Sequence, residues 1–342
     1  MGTYAAVRGV AGFLPPDTEE NDLTTRSGEA LGIKRRHLGG GRAASDMAVE
    51  AGEALLGKYG LNRQEIDFVL LCTQFPDYYV PTTACIVAER LGLPKSCGAL
   101  DYNLGCSGYV YGLALAKGLI ETGLSKNLLL LTSSLYSQWA SKEDSATRPV
   151  FGDASTATLI SGVEAEEPLL YGFTFGTDGA GFNKIIVPVG GSRNDYRYTE
   201  DYVIEDEHGS RRFTDGTMDG QGIMYFTLHR VPQLVSEVLE KTGLARSDLD
   251  YCVFHQPNRF MLDYVRKKCK LMEVPFYNNV EETGNTVPST IPLALEQVFA
   301  SEGAAPLRRV LLAGFGVGLS WGGCIADCSR VLAPANVCVH EG

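Results

Sequence analysis

The chain has 342 residues, 44% of them hydrophobic and 21% charged, with a formal net charge of −11. This length and apolar content predict a globular protein of about two domain-sized units. The acidic balance argues against nucleic acid or an anionic membrane surface as the main partner. The N-terminal MGTYAAVRGVAGFLPP lacks a basic stretch followed by an apolar block, and no apolar run approaches the length of a membrane span. We therefore expect a cytoplasmic protein.

The nine cysteines do not indicate a disulfide framework, because the chain is long and carries no recognisable secretion signal. Most of them lie in apolar runs, where free cysteine behaves as a small buried hydrophobe. Near the C-terminus, Cys324, Cys328, Cys338 and His340 could together ligate zinc, but their spacing matches no usual zinc motif. We predict core cysteines there and no metal site.

The first half alternates helical and strand-like patterns. Apolar residues recur at helical spacing over 44–60, and the continuous apolar run at 69–72 is typical of a strand buried on both faces. A second helical pattern covers 113–123, and a second apolar run covers 128–132. Strands that alternate with helices predict a layered α/β fold.

Cys106 stands between an extended stretch and the second helical pattern, in DYNLGCSGYVYGLALAKGLIETG. A thiol at the start of a buried helix feels the positive end of the helix dipole, which favours the nucleophilic thiolate. The small neighbours Gly105, Ser107 and Gly108 leave room for a substrate. A structural core cysteine is the alternative, and these features alone leave both interpretations open.

The chain divides near 162–172, an acidic segment that contains proline, and we place the boundary between residues 165 and 166. A charged stretch over about 190–221 is predicted to form a surface loop. The second half then repeats the order of the first, with helical patterns at 229–243 and 292–303 and apolar runs at 252–254 and 310–314.

Two polar residues of the second half are candidates for a site. His255 follows a buried strand, at the kind of sheet edge where α/β folds bind ligands. Asn285 follows Gly284 and precedes a helix. Taken singly, each is more often structural than functional, because buried histidines form hydrogen bonds and Gly-Asn is common in turns. The glycine-rich segment 314–323 lacks the features of a dinucleotide loop, and we interpret it as a tight turn whose amides could stabilise an oxyanion.

An internal repeat relates the two halves. GLNRQEIDF at 60–68 matches GLARSDLDY at 243–251, and the continuations VLLCTQ and CVFHQP place Cys72 at the position of His255. KNLLLLTSS and RRVLLAGFG form a second matching pair. The repeat predicts two halves with one order of strands and helices, packed as stacked layers.

Five segments, in their order and spacing, resemble the beta-ketoacyl-acyl-carrier-protein synthase III family of the thiolase superfamily: LGCSGYVYGL, RPVFGDASTATL, FHQPNRF, TGNTVPSTIPLAL and GFGVGLSWG. The resemblance spans about residues 5–328. It implies a five-layered αβαβα fold with duplicated halves at 1–165 and 166–342, and a homodimer. It also implies acyl thioesters of acyl carrier protein or coenzyme A as substrates, and no permanently bound cofactor.

The resemblance further implies roles for the site residues. Cys106 would carry the acyl group, His255 and Asn285 would support decarboxylation of a malonyl-type thioester, and the backbone amides of Cys106 and Val317 would form an oxyanion hole. The reaction would be acyl transfer followed by a decarboxylative Claisen condensation. Thiolate suits this chemistry as both nucleophile and leaving group, and two neutral donors can stabilise an enolate. Val317 departs from the family, which usually has glycine there.

Other departures concern the substrate. Family members that use a coenzyme A primer clamp its adenine with a tryptophan and arginines, but TTRSGEAL contains no tryptophan, and Ala30 and Ser145 stand where arginines are expected. This favours an acyl group delivered by a carrier protein or another thioester. Val80 aligns with a residue that limits the acyl pocket across the family's dimer, so we expect an acyl group larger than acetyl.

A basic segment follows His255 and contains Arg259, Arg266, Lys267, Lys268 and Lys270. It is interpreted either as a docking surface for an acidic carrier protein or as a solvated helix face. Two other functions compete with condensation. An acyltransferase would pass the acyl group to an alcohol or amine and would have no enolate for Asn285 to stabilise, whereas a silent partner subunit would lack the thiol or the imidazole.

Overall fold

The computed structural model describes residues 1–193, 203–206, 209–212 and 215–335. The strands are β1 Gly2–Phe13, β2 Thr18–Glu20, β3 Arg35–His37, β4 Phe68–Thr73, β5 Gly98–Tyr102, β6 Asn127–Ser134, β7 Ala154–Ala165, β8 Leu170–Thr177, β9 Ile185–Ile186, β10 Val203–Asp206, β11 Gly209–Arg212, β12 Thr217–Met218, β13 Tyr251–Phe254, β14 Val310–Gly316 and β15 Ser320–Ala326. The helices are α1 Arg26–Leu31, α2 Ala44–Tyr59, α3 Thr83–Arg90, α4 Gly108–Glu121, α5 Gly220–Thr242, α6 Arg259–Lys268, α7 Val280–Thr283 and α8 Thr290–Glu302.

The two main sheets each draw their strands from one half of the chain. The first has the order β1-β7-β6-β4-β5, with β4 parallel to β5 and β6. The second has the order β13-β14-β15-β8, with β13 parallel to β14 and β15 antiparallel to both its neighbours. The predicted boundary at 165/166 falls between β7 and β8 and stays a prediction.

Three layers of helices pack against these sheets, one between them and one on each outer face. Helices α4 and α8 pack between the sheets in one apolar core that includes Leu70 and Leu312. Helices α2 and α3 cover the other face of the first sheet around Leu71, while α5 and α6 cover the other face of the second sheet around Leu311. Because successive residues of a strand point to opposite faces, the continuous apolar runs fill both cores. The predicted five-layered αβαβα fold is confirmed.

The repeat is visible in the local backbone. Helices α2 and α5 end at glycines in the left-handed conformation, Gly60 with φ 60° and Gly243 with φ 69°. Glycine adopts this conformation without steric cost, which ends the helix and turns the chain towards the next strand. In each half a short 3₁₀ turn then leads into a parallel strand, β4 or β13.

An aspartate fixes the start of the next parallel strand in each half. Asp67 accepts a hydrogen bond from the backbone N–H of Lys126, just before β6. Asp250 accepts hydrogen bonds from the backbone N–H groups of Arg308 and Arg309, just before β14. The predicted duplication of the halves therefore extends to single hydrogen bonds.

Helix α5 begins earlier than predicted. Asp219 caps it by accepting a hydrogen bond of 2.8 Å from the Gly222 N–H, a local contact that hydrophobic periodicity does not reveal. The described parts of the predicted loop over 190–221 include the β10–β11 hairpin and β12. In the described ranges, none of the helices combines the length and the apolar character of a membrane span.

The structure places Cys324 and Cys328 in the central core, fully buried. Cys338 and His340 lie outside the described residues. Within the described part of the chain, no group of three or more His, Cys, Asp or Glu side chains has an arrangement that could hold a metal ion.

Candidate active site

Cys106 lies in the tight turn between β5 and α4, where the Gly108 N–H donates to the Gly105 carbonyl over 2.8 Å. The β14–β15 hairpin packs directly on this turn. A Cβ on Gly314 would lie 2.7 Å from the Cys106 carbonyl oxygen, and a Cβ on Gly316 would lie 2.7 Å from the Cys106 Sγ. Only glycine leaves room for this contact, and the backbone of the hairpin therefore lies directly against the thiol. The predicted tight turn at 314–323 is confirmed by the β14–β15 pairing.

The thiol is protonated at neutral pH. Burial raises the pKa of Cys106 to about 11, although hydrogen bonds from the backbone N–H groups of Val317 and Cys106 act in the opposite direction. The backbone N–H groups at the helix start favour the thiolate, as expected, but loss of hydration outweighs them. These N–H groups are the pair predicted to form the oxyanion hole, and they converge on the sulfur.

His255 directly follows β13, and its backbone N–H donates to the Ala313 carbonyl over 2.8 Å. His255 is buried, with 2% of its surface exposed, and its Nδ1 lies 2.8 Å from Thr290 Oγ1. Burial lowers the pKa of His255 to about 3, with a hydrogen bond to the Val287 backbone acting in the opposite direction. The ring is therefore a neutral imidazole across the physiological pH range.

Asn285 is held by the other half of the chain. Its backbone N–H donates to the Val150 carbonyl over 2.9 Å, and its carbonyl accepts from the Gly152 N–H over 3.1 Å. Its Oδ1 accepts a hydrogen bond of 2.9 Å from the Val287 N–H, which fixes the orientation of the carboxamide. In the part of the chain that the structure describes, no acceptor bonds its Nδ2. The amide thus retains free donors.

One cavity of about 210 Å³ is lined by Cys106, His255 and Asn285. Val317 and Phe315 of the second sheet also line it, and the Phe315 ring packs edge-on against the imidazole at 5.5 Å between centroids. Side chains from both halves therefore face one cavity. Thr290 and Val287, which contact His255 and Asn285, were not anticipated, because no sequence pattern marks a single hydroxyl or backbone group.

Comparisons with known proteins identify the family. Residues 100–179 match the family 3-oxoacyl-[acyl-carrier-protein (ACP)] synthase III, and residues 239–328 match its C-terminal counterpart. A beta-ketoacyl-[acyl-carrier-protein] synthase III from Caldanaerobacter subterraneus subsp. tengcongensis is 30% identical, over 95% of this chain and 98% of that protein. Its counterpart from Clostridioides difficile is 32% identical, over 94% of this chain and 98% of that protein.

A crystal structure of a 3-oxoacyl-(acyl-carrier-protein) synthase III is similar throughout, with 41% sequence identity, a TM-score of 0.91, and coverage of 95% of this chain and 99% of that one. The chain belongs to the beta-ketoacyl-acyl-carrier-protein synthase III family. The synthase is thus a condensing acyltransferase with a thiolase fold, as its motifs predicted.

The synthase has a second cavity of about 240 Å³ beside the first. Both cavities are lined by Tyr136, Phe151, Ile185, Met218 and Val317. The second is also lined by Trp139, Gln74 and Asn103, with hydrogen bonds from Tyr136 to Gln74 and from Gln74 to Asn103. The two cavities are therefore adjacent, and Cys106, His255 and Asn285 line only the first.

Val80, the residue predicted to limit the acyl pocket, lines neither cavity in the single chain. It is 83% exposed, in a loop with the exposed Tyr78 and Tyr79. Because the predicted contact is with a partner subunit, the role of Val80 stays a prediction.

The two positions where arginines were expected are neighbours in sequence of residues that line the first cavity. Leu31 and Ala146 line the cavity, and each directly follows one of these positions, Ala30 or Ser145. Both positions are exposed and carry no charge. The synthase therefore lacks cationic side chains at these two positions.

The five basic residues after His255 differ in their surroundings. Arg266 donates to the carbonyls of Met272 and Val274, so it holds the turn that follows α6. Arg259 forms an ion pair of 2.8 Å with Glu281. The remaining three are exposed to solvent: Lys267, Lys268 and Lys270.

Proposed function

We propose that this synthase loads an acyl group onto Cys106 and condenses it with a malonyl-type thioester, using His255 and Asn285 to stabilise the enolate. The observation that supports this most is the shared cavity, in which a thiol, a neutral imidazole and a carboxamide with free donors face one space. The three groups provide the nucleophile and the two hydrogen-bond donors that the reaction needs.

In the first half-reaction the Cys106 thiol loses its proton and the sulfur attacks the acyl thioester. The tetrahedral intermediate collapses with cleavage of the donor's C–S bond, and the donor thiolate is protonated as it leaves. The backbone N–H groups of Cys106 and Val317, which already approach the sulfur, are placed to stabilise the oxyanion. A backbone donor tolerates the valine side chain at position 317.

In the second half-reaction the malonyl C–CO₂⁻ bond breaks, and its electron pair forms an enolate. His255 and Asn285 donate hydrogen bonds to the enolate oxygen. The carbanion then attacks the acyl carbonyl and a C–C bond forms. The C–S bond to Cys106 breaks, and the departing thiolate takes a proton from solvent, while the carboxylate has left as carbon dioxide. Neutral donors are suited to this step because they stabilise the charge that develops without forming a tight ion pair with the malonyl carboxylate.

Acyl carrier protein is the proposed donor of the acyl group. Ala30 and Ser145 offer no arginine to clamp an adenine nucleotide, whereas the exposed Lys267, with Lys268, offers positive charge to an acidic carrier. Arg259 and Arg266 contribute less to such docking, because each is bonded within the chain. The acyl thioester is a substrate, and no permanent cofactor is part of the proposal.

A homodimer and a cytoplasmic location complete the proposal. Strand β5 is an edge of the first sheet, and Leu100 on it is exposed, as are Tyr78, Tyr79 and Val80. An edge strand beside exposed apolar side chains is a surface that a second copy of the chain can cover.

Intact-protein mass spectrometry after exposure to a panel of acyl thioesters tests the function. We expect a mass gain with carrier-bound acyl groups, which Cys106→Ser abolishes. Asn285→Ala should retain this self-acylation but suppress carbon dioxide release from malonyl thioester. Asn285→Ala releasing carbon dioxide at the unaltered rate would remove Asn285 from the mechanism, and transfer of acyl groups to alcohols or amines without carbon dioxide release would favour the acyltransferase alternative.

A further inference from the structure

The Thr290 hydroxyl lies between a carbonyl oxygen and a ring nitrogen of His255. Its Oγ1 is 2.9 Å from the Val287 carbonyl oxygen and 2.8 Å from Nδ1 of His255. Both side chains are buried, each with 2% of its surface exposed. A hydroxyl has a single proton, so Thr290 can donate to only one of these partners at a time.

The partner to which the Thr290 hydroxyl donates determines which nitrogen of the imidazole carries the proton. The neutral ring has one N–H. When Thr290 donates to the Val287 carbonyl, its oxygen accepts from Nδ1–H, and Nε2 has a lone pair. When Thr290 donates to Nδ1, the ring proton is on Nε2. Nδ1 and the hydroxyl stay paired with each other in both arrangements, and the Val287 carbonyl also accepts from the Thr290 backbone N–H. This matters because an unpaired polar group is costly at such burial.

We propose that Thr290 is a positioning residue that makes both tautomers of His255 available, so that Nε2 accepts a proton in acyl transfer and donates a hydrogen bond in decarboxylation. The inference rests on the proposed function for the two half-reactions. Thr290 touches neither substrate nor the reacting sulfur, and it acts through the ring.

In acyl transfer, Nε2 takes the proton from the Cys106 thiol, which burial keeps protonated, and returns it to the departing donor thiolate. The ring is then neutral again and exchanges its proton with water once the donor has left the cavity. In decarboxylation, Nε2–H donates a hydrogen bond to the enolate oxygen and no proton leaves the ring.

Thr290→Val tests the proposal, because valine keeps the shape but has no hydroxyl. The Val287 carbonyl lies 2.9 Å from the hydroxyl that contacts Nδ1. In the valine variant this carbonyl no longer accepts from the hydroxyl, and we expect it to accept from the ring and to favour Nδ1–H. We expect carbon dioxide release from malonyl thioester to fall roughly ten- to a hundredfold, the factor typical of one unpaired buried group. Self-acylation should fall far less. Thr290→Ser restores the hydroxyl and should restore decarboxylation.

Thr286→Val is the matched control. Thr286 is also fully buried in the same segment, but its Oγ1 has no hydrogen-bond partner in the described residues. The same isosteric change there should leave both half-reactions near those of the unaltered protein. Equal loss of decarboxylation in the two valine variants would show a general packing effect and overturn the role of Thr290.

Nitrogen-15 spectra of histidine-labelled protein report the tautomer directly, with His255→Ala to assign the ring among the five histidines. We expect an averaged tautomer in the unaltered protein and Nδ1–H alone in Thr290→Val. Identical ring shifts in these two proteins would overturn the inference, even if the synthase is active. An unaltered protein that neither self-acylates nor releases carbon dioxide would instead overturn the proposed function, and the spectra would still decide the tautomer.

Discussion

Burial raises the pKa of the Cys106 thiol, backbone N–H groups lower it, and burial has the larger effect. Its pKa of about 11 lies above the ordinary value of 9.0, so the thiol form persists to higher pH than in an exposed cysteine. As the pH rises, the unfolded chain therefore loses the thiol proton at a lower pH than the folded state does. The stability contributed by this group is present below about pH 9 and is lost as the pH rises towards 11.

This predicts the pH profile of alkylation. The rate at which iodoacetamide modifies Cys106 should keep rising between pH 9 and about 11, because the reactive thiolate is still forming in that range. Peptide mass spectrometry gives the rate at this one cysteine, and circular dichroism at each pH verifies that the protein is folded. A rate that levels off below pH 8 would instead show a thiolate favoured by the helix, as the sequence suggested.

The site residues were predictable from sequence only where a motif contains them. Cys106, His255 and Asn285 stand in segments with family spacing, and the structure brings them to one cavity. The pKa of Cys106 was not predictable, because it depends on how completely the surrounding layers exclude water. Thr290 was also missed, since its hydroxyl gains meaning only from two partners that folding places beside it.

Among the elements, strands and helices with strong periodicity were predicted to within a few residues. The pattern at 44–60 became α2 Ala44–Tyr59, and the run at 310–314 became β14 Val310–Gly316. A continuous apolar run indicates that both faces of a strand are buried, so a layer on each side of the sheet can be inferred from it. The start of α5 depends instead on one capping side chain, Asp219, and periodicity does not contain that information.

The β14–β15 hairpin gives a prediction at this scale. Gly316 has φ 154°, and an added Cβ would lie 2.7 Å from the Cys106 Sγ. Gly316→Ala should therefore displace the hairpin or the sulfur, lower self-acylation at least tenfold and destabilise the fold by about 1–3 kcal/mol. Self-acylation by mass spectrometry and thermal unfolding measure the two effects.

Gly303→Ala separates backbone strain from contact with the thiol. Gly303 also has a positive φ, 74°, but nothing lies within 4 Å of the added methyl group. We expect it to lower stability while self-acylation continues. If Gly316→Ala acylates as fast as Gly303→Ala, the hairpin does not control access to the sulfur.

For the whole molecule, the site depends on contacts between the halves. Asn285 belongs to the second half, yet its backbone pairs with residues 150–152 of the first. The thiol belongs to the first half, yet the Val317 N–H that approaches it comes from the second sheet. Duplication of one α/β unit thus gives two similar halves, and the loops at their junction differ enough to supply different chemical groups.

The proposed dimer can be tested by a substitution on the edge strand β5. Leu100 is exposed on this edge, and lysine there would place a charge in an apolar interface without changing the monomer's core. Leu100→Lys should shift the protein from dimer to monomer in sedimentation at micromolar concentration. Leu124→Lys, at another exposed leucine, controls for added charge and should sediment as a dimer. Because β5 leads directly to Cys106, a monomeric Leu100→Lys protein should also self-acylate more slowly, and identical sedimentation of the two variants would exclude β5 as the contact.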